Sequence, residues 1–144
     1  MWLFYALGAA TIWGFTYAVS EKLLRGGMSP SFLLLISATI SFPFYLIVSH
    51  RLGTLKAGFN AISGNTGLLC WAIVMGAAVV LANFLIVTSI QAKNASLAAL
   101  VEISYPVSTV FFTWLILRDI QVNYYTVLGG FIILVGVMTI YLKG

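Results

Sequence analysis

The chain has 144 residues, of which 62% are hydrophobic and only 7% are charged. Soluble globular domains carry about 25% charged residues and about 45–50% apolar ones, so this composition excludes a soluble enzyme and a disordered chain. The formal net charge is +4, but the basic residues are scattered and form no stripe that follows a phosphate backbone. The composition therefore predicts an integral membrane protein with the lipid bilayer as its surroundings and no nucleic acid as a partner.

Charged residues, glycines and prolines divide the sequence into five apolar segments, numbered here as spans 1 to 5. A helix of about 20 residues crosses the hydrocarbon core of a bilayer, and each segment approaches or exceeds that length. The segments are continuously apolar, whereas strands of a membrane barrel are alternating segments of about 10 residues. We therefore predict an all-α integral membrane fold, a single domain over residues 1–144 with spans at residues 2–24, 30–49, 67–90, 95–117 and 124–142.

Two segments need separate interpretation. The first apolar run is longer than the core of a signal peptide, about 7–15 residues, and no basic region precedes it, so we predict a retained transmembrane helix. The longest loop covers residues 50–66, and its middle part, TLKAGFNAI, is predicted to form a short helix on the membrane surface.

The basic residues are almost evenly divided between the two sides of the membrane. One side would hold Arg51, Lys56 and Arg118 together with the N-terminal amine, and the other Lys22, Arg25, Lys93 and Lys143. The positive-inside rule sets an orientation only when the two sides differ. Two interpretations remain open: other factors fix one orientation, or the chain inserts both ways and forms an antiparallel homodimer that rebuilds an inverted repeat.

Glu102 is the most informative residue, because it lies close to the middle of span 4. A charged carboxylate there costs about 2.5–3.5 kcal/mol on insertion scales, so such residues usually face a cavity or a partner. Burial disfavours the charged form, which makes Glu102 a candidate proton carrier. The alternative is a neutral Glu102 that makes one structural hydrogen bond between helices.

Prolines predict two helix kinks. Pro106 has no N–H to donate to the carbonyl of Glu102, four residues earlier, so the backbone is opened at the same residue that carries the carboxyl group. Pro43 removes the donor for the carbonyl of Thr39 in span 2 in the same way.

Helical periodicity places several polar and aromatic residues on one face with Glu102. Tyr105 and Thr109 share its face in span 4, a pattern that suits the wall of a water-accessible cavity. Trp13 and Tyr17 form a comparable stripe in span 1, where aromatic rings either stack on an organic cation or another ring, or pack against neighbouring helices. Glu21 and Lys22 follow near the end of that span, where they can snorkel to the interface. The predicted binding site for substrate or coupling ion comprises Glu102, Tyr105, Thr109, Trp13 and Tyr17.

Span 5 has a different character. Gly129 and Gly136 lie seven residues apart on one face, and small residues let helix backbones approach closely, so this span is predicted to pack in a dimer. The sequence has one histidine, His50, and one cysteine, Cys70, with no cluster of metal-ligand spacing and no cofactor motif. We therefore expect no metal, no cofactor and no enzymatic activity.

Several motifs resemble EamA-type proteins of the drug/metabolite transporter superfamily. They are the AAxxWG pattern of residues 9–14, Glu21-Lys22, and the run from Asn94-Ala95-Ser96 through Pro106 to the glycine-containing patterns of residues 128–130 and 133–137. Span 5 is also similar to the dimerising last helix of small multidrug resistance proteins, a sister group. The sequence departs from the family pattern where Arg118-Asp119 replaces Gly-Glu, and where the acid stands four residues before the proline instead of directly before it.

The resemblance implies one five-helix unit, whereas most family members carry two such units with inverted topology. It also implies transport of a small-molecule substrate, and ten helices, hence a dimer. The leading interpretation is a secondary transporter of metabolites or drug-like molecules in a cell membrane, which we expect to be a prokaryotic plasma membrane, with coupling to protons through Glu102. The alternatives are a passive facilitator or channel, and a membrane assembly subunit that transports nothing.

Overall fold

The computed structural model describes residues 1–118 and 123–143. Within these ranges the chain forms seven helices and no strand: α1 (Trp2–Arg25), α2 (Pro30–Arg51), α3 (Thr54–Ser63), α4 (Thr66–Ala92), α5 (Ala95–Glu102), α6 (Tyr105–Leu117) and α7 (Tyr124–Lys143). Five segments are long and apolar enough to cross a membrane, with α5 and α6 together forming the fourth. The predicted all-α membrane fold with five transmembrane segments is therefore confirmed.

Two compact units are distinguished by their internal contacts. One comprises residues 1–21 and 89–144, which include most of α1 and all of α5, α6 and α7. The other comprises residues 22–88, which include α2, α3 and most of α4. Each unit is described by itself below, and the single domain over residues 1–144 stays a prediction.

The start of α2 is set by local chemistry. The side chain of Ser29 accepts a hydrogen bond from the backbone N–H of Phe32 at 3.3 Å, and Pro30 occupies the first helical position, where a missing N–H costs nothing. Gly27 precedes this cap with a φ of 92°, a left-handed conformation that glycine adopts without strain. Further along, Pro43 lies inside α2, which continues past it to Arg51.

Helix α3 is the short helix that the loop sequence predicts. Gly53 precedes it with a φ of 67°, and α3 packs against α2. Leu55, Phe59 and Ile62 share one face of the helix, while Lys56 lies on another. This amphipathic pattern is typical of helices that lie in the membrane interface. The position of α3 at the bilayer surface stays a prediction.

The fourth span is interrupted between α5 and α6. Asn94 caps α5, with its side-chain oxygen accepting from the N–H of Leu97 at 2.8 Å, and the helix ends after eight residues at Glu102. The N–H of Ser104 bonds the carbonyl of Val101 at 3.2 Å, so the last turn tightens to a three-residue spacing. Helix α6 then begins at Tyr105, one residue before the proline that cannot donate to the preceding turn.

Arg118 ends α6 in a conformation that suits glycine. Its φ is 56°, in the left-handed region, and its N–H bonds the carbonyl of Trp114 at 3.0 Å. Helices commonly end with glycine in this conformation, because a side chain is strained there. Arg118, which stands where the family pattern has glycine, is therefore conformationally strained. The neighbouring Asp119 lies outside the described residues.

Candidate functional site

Helices α1 and α5 are joined by hydrogen bonds at both ends of α5. The hydroxyl of Tyr17 donates to Oε2 of Glu102 at 2.5 Å, and the backbone N–H of Ala95 donates to Oε2 of Glu21 at 2.7 Å. Ala95 and Glu102 are the first and last residues of α5. Because the later residue of α1 bonds the earlier residue of α5, the two helices run antiparallel.

Small side chains accompany this pairing. Ala95 and Ala98 of α5 are buried, with Ala98 only 4% exposed, and Ser20 of α1 is buried as well. The hydroxyl of Ser20 donates to the carbonyl of Thr16 at 2.8 Å, so its polar group is satisfied within α1. Small residues allow membrane helices to approach closely, and α5 also packs against α7.

Trp13 and Tyr17 form an aromatic pair beside the carboxyl group. Their ring centroids are 5.7 Å apart and the ring planes are inclined at 50°. Tyr17 is half-buried, whereas Trp13 is 51% exposed. A Cβ atom added to Gly14 would meet no atom within 4 Å. The indole is therefore partly open to its surroundings, and the phenol of Tyr17 is its ring neighbour.

The predicted site residues fall into two groups in the structure. Trp13, Tyr17 and Glu102 lie together. Tyr105 and Thr109 lie beyond the interruption, on α6, where both are exposed. The hydroxyl of Thr109 donates to the carbonyl of Tyr105 at 3.0 Å, so its proton is used inside α6. Their participation in the site stays a prediction.

Glu102 stands where the helical backbone is interrupted. It is half-buried, and Pro106 has no N–H that could bond its carbonyl. Irregular backbone inside a membrane is tolerated where it is buried in protein or lines a water-filled cavity. The carboxyl group of Glu102, the phenol of Tyr17 and the interruption of the helix thus lie close together. This arrangement can hold a proton or a ligand with hydrogen-bonding groups.

Glu21 has a role that sequence reasoning missed. Its carboxylate accepts from Ala95, whose N–H is one of the four at a helix start without a partner in the helix. A negative charge is also favoured at a helix N-terminus by the helix dipole. The Asn94 cap is visible in the sequence, but the carboxyl group that joins it comes from a residue 74 positions earlier. Periodicity on one helix gives no signal for such a pair.

Gly129 and Gly136 of α7 border open space. Gly129 lines an apolar groove of about 500 Å³ between α6 and α7, together with Pro106, Val107 and Leu134. A Cβ atom added to Gly129 or Gly136 would meet no atom within 4 Å. A role of these glycines in dimer packing is not tested by a single chain and stays a prediction.

These features define a multi-pass membrane protein with an intramembrane carboxyl group as its candidate site. Among residues 1–118 and 123–143, no three His, Cys, Asp or Glu side chains are grouped closely enough to hold a metal ion. The chain matches the EamA-like transporter family over residues 1–142 and belongs to that family. The family indicates a membrane transporter of the drug/metabolite superfamily, which is not a family of enzymes. No curated protein and no solved structure matches the chain.

Replacement of Glu21 tests the bond to the start of α5. We expect Glu21→Ala to lower the free energy of unfolding by about 1–3 kcal/mol, because the N–H of Ala95 loses its acceptor. Glu21→Gln keeps an acceptor oxygen for this N–H and loses the interaction of the charge with the helix dipole, about 0.3–1 kcal/mol. Unfolding in mixed detergent, followed by circular dichroism, measures both changes.

The neighbouring exposed Lys22 provides the control, since Lys22→Ala is expected to change the free energy of unfolding by less than about 0.5 kcal/mol. If Glu21→Ala were as stable as this control, the bond to Ala95 would have no part in holding α5.

Proposed function

We propose that the chain is one half of a secondary transporter for small metabolites or drug-like molecules, coupled to protons through Glu102. The observation that carries this proposal is the hydrogen bond from Tyr17 to Glu102, made where the fourth span is interrupted. A carboxyl group at such a point can bind a proton and a substrate in turn. Membership of a transporter family supplies the general activity.

The charge content of the spans supports a coupling role for this residue. Away from the ends of the five spans, Glu102 is the only Asp, Glu, Lys or Arg in the sequence. A proton that crosses through this protein by way of a carboxyl group therefore has one candidate carrier inside the membrane. Tyr17 would stabilise the carboxylate by donating its hydroxyl proton, and Trp13 would form one wall of the site.

We further propose that two copies of the chain form an antiparallel homodimer. The chain carries one five-helix unit, and the family resemblance implies that two inverted units are needed. Three basic side chains against four give almost no preference for either orientation. Open space beside Gly129 and Gly136 leaves room for a helix of the second copy. The plasma membrane of a prokaryotic cell is the proposed location.

Glu102→Gln tests the coupling role most directly. The amide oxygen still accepts from Tyr17, so we expect a folded protein, but the side chain cannot ionise and accumulation driven by a pH gradient is lost. Exchange without a gradient survives. A metabolite comparison between overexpressing and control cells identifies the cargo, and its uptake is then measured in proteoliposomes with and without a pH gradient.

The matched control is Asn83→Leu, because the amide of Asn83 bonds only to its own helix in the described contacts, at Val79 in α4. This variant should accumulate cargo as the wild type does. Gradient-driven accumulation by Glu102→Gln would refute proton coupling through this residue. Equilibration without accumulation by the wild type would indicate a passive facilitator, and no flux at all would indicate an assembly subunit.

Reporter fusions at residue 144 test the antiparallel arrangement. One reporter is active only outside the cytoplasm, and the other is active only inside it. We expect the two reporters to give signals of similar strength, because the chain inserts in both orientations. An added pair of lysines at the loop that contains Lys56 should favour one reporter strongly. A signal from only one reporter on the unaltered chain would exclude dual insertion and leave a parallel dimer or a different partner chain.

A further inference from the structure

Helix α3 and the last residue of α2 form a surface that lies outside the candidate site. We infer that this surface binds the headgroup of an anionic phospholipid, with Arg51 and Lys56 as its positive charges and Phe59 among the acyl chains. Three observations carry this: both ends of α3 are attached to membrane spans by short connections, its apolar face is uncovered, and the nearby charges are all positive.

The connections of α3 keep it at one face of the membrane. Residues 52–53 join it to α2 and residues 64–65 join it to α4, and both of those helices are long and apolar enough to cross a bilayer. Connections this short reach no more than about 10 Å. The hydroxyl of Thr54 also donates to the carbonyl of Ser49, in the last turn of α2, at 3.3 Å. Helix α3 is therefore held close to the bilayer at both of its ends.

The apolar face of α3 is left uncovered in the described structure. Leu55 and Ile62 are half-buried, but Phe59 is 60% exposed, and no residue of the helix is fully buried. An amphipathic helix at a bilayer surface buries such a face about 5–10 Å into the boundary between headgroups and acyl chains. Since α3 is held at that boundary by its connections, the acyl chains are the nearest apolar surroundings for the ring of Phe59.

The charges beside α3 select an anionic headgroup. Arg51 is the last residue of α2 and Lys56 lies in the first turn of α3, and both side chains are exposed. The sequence has no Asp or Glu from residue 22 to residue 101, so no carboxylate of the unit that contains α3 can neutralise them. The phosphate of an anionic lipid supplies this missing negative charge.

Lys56 and Phe59 are placed for two layers of the same lipid. They are three residues apart and are therefore neighbours on the surface of α3. A lysine at the edge of an apolar face can lay its methylene chain along that face and extend its ammonium group into the headgroup layer. The charge then meets the phosphate while the aromatic ring lies among the acyl chains below it.

Two lipids with the same acyl chains and different headgroup charge test the inference. The full chain in a neutral detergent is titrated with phosphatidylglycerol or with phosphatidylcholine, and native mass spectrometry measures the affinity for the first bound lipid. A basic residue beside an anionic lipid surface contributes about fivefold in affinity, or about 1 kcal/mol. We therefore expect Arg51 and Lys56 together to give a preference of about 25-fold for phosphatidylglycerol.

Variants assign this preference to the α3 surface. Arg51→Gln and Lys56→Gln should each weaken binding of phosphatidylglycerol about fivefold and leave phosphatidylcholine unaffected. Phe59→Ser changes no charge but removes the apolar contact, so it should also weaken binding of phosphatidylglycerol. The matched control, Lys93→Gln, removes an exposed lysine between α4 and α5 and should bind both lipids as the wild type does. All four side chains are exposed, so these variants should fold.

Spin labels in vesicles that contain phosphatidylglycerol locate the two faces of α3. In a chain with Cys70→Ser, a label on Phe59→Cys should be more accessible to oxygen, which concentrates in the acyl chains, than to a water-soluble nickel complex. A label on Asn60→Cys, on the polar face of the same helix, should show the reverse.

Equal affinity of the wild type for the two lipids would overturn the inference, as would an equal loss of affinity in Lys93→Gln. Unchanged affinity in Phe59→Ser would reduce the effect to attraction by charge alone and overturn the site on α3. A label at residue 59 that is reached mainly by the nickel complex would place this face in water. Spectral broadening of that label that disappears on dilution with unlabelled chain would show that a second copy covers the face instead. None of these measurements involves transport, so they are decided separately from the proposed function.

Discussion

A carboxyl group within the hydrocarbon of a membrane needs a hydrogen-bond partner, because little water is available there to replace one. The described structure meets this constraint with one contact, the bond from the Tyr17 hydroxyl to Glu102. That contact and the bond from Ala95 to Glu21 join α1 to α5 at the two ends of the short helix. The bond from Tyr17 to Glu102 thus both joins the two helices and defines the candidate site.

The hydrogen bond between Tyr17 and Glu102 is made where the fourth span is interrupted. Helix α5 is only eight residues long and is bonded to α1 at its first and last residues. Helix α6 begins separately at Tyr105 and borders an apolar groove with α7. The carboxyl group therefore belongs to a short helix that is bonded to α1, next to a tighter turn at Ile103 and Ser104. Residues at the ends of helices are where hinge movements are absorbed in proteins that open and close around a ligand.

Much of the fold follows from the sequence, because hydropathy and helix punctuation are local properties. The five spans, the short helix α3 and the importance of Glu102 as a charged residue in mid-span all derive from residues within one segment. The partner of Glu102 cannot be derived in this way, because Tyr17 is 85 positions away in the sequence and several aromatic residues could take its place. The bond from Ala95 to Glu21 is non-local for the same reason.

The interruption also limits what periodicity can predict. A face that contains Glu102, Tyr105 and Thr109 assumes one continuous helix, with a rotation of about 100° per residue. Ile103 and Ser104 keep right-handed helical dihedral angles but make a tighter turn between α5 and α6, so the side chains of α6 do not point in the directions that one regular α-helix would give them. Pro106 signals a disturbance, but the sequence alone does not show that the helix ends before the proline is reached.

A double-mutant cycle on Tyr17 and Glu102 tests the central contact most directly. Tyr17→Phe removes the donor and Glu102→Leu removes the acceptor at similar volume, and unfolding in mixed detergent gives the free energies of the two single variants and the double variant. We predict a coupling of about 0.6–1.7 kcal/mol, which runs from the average to the maximum found by such cycles for hydrogen bonds between membrane helices. Effects of the two substitutions that simply add would contradict the account, because Tyr17 and Glu102 would then not be partners.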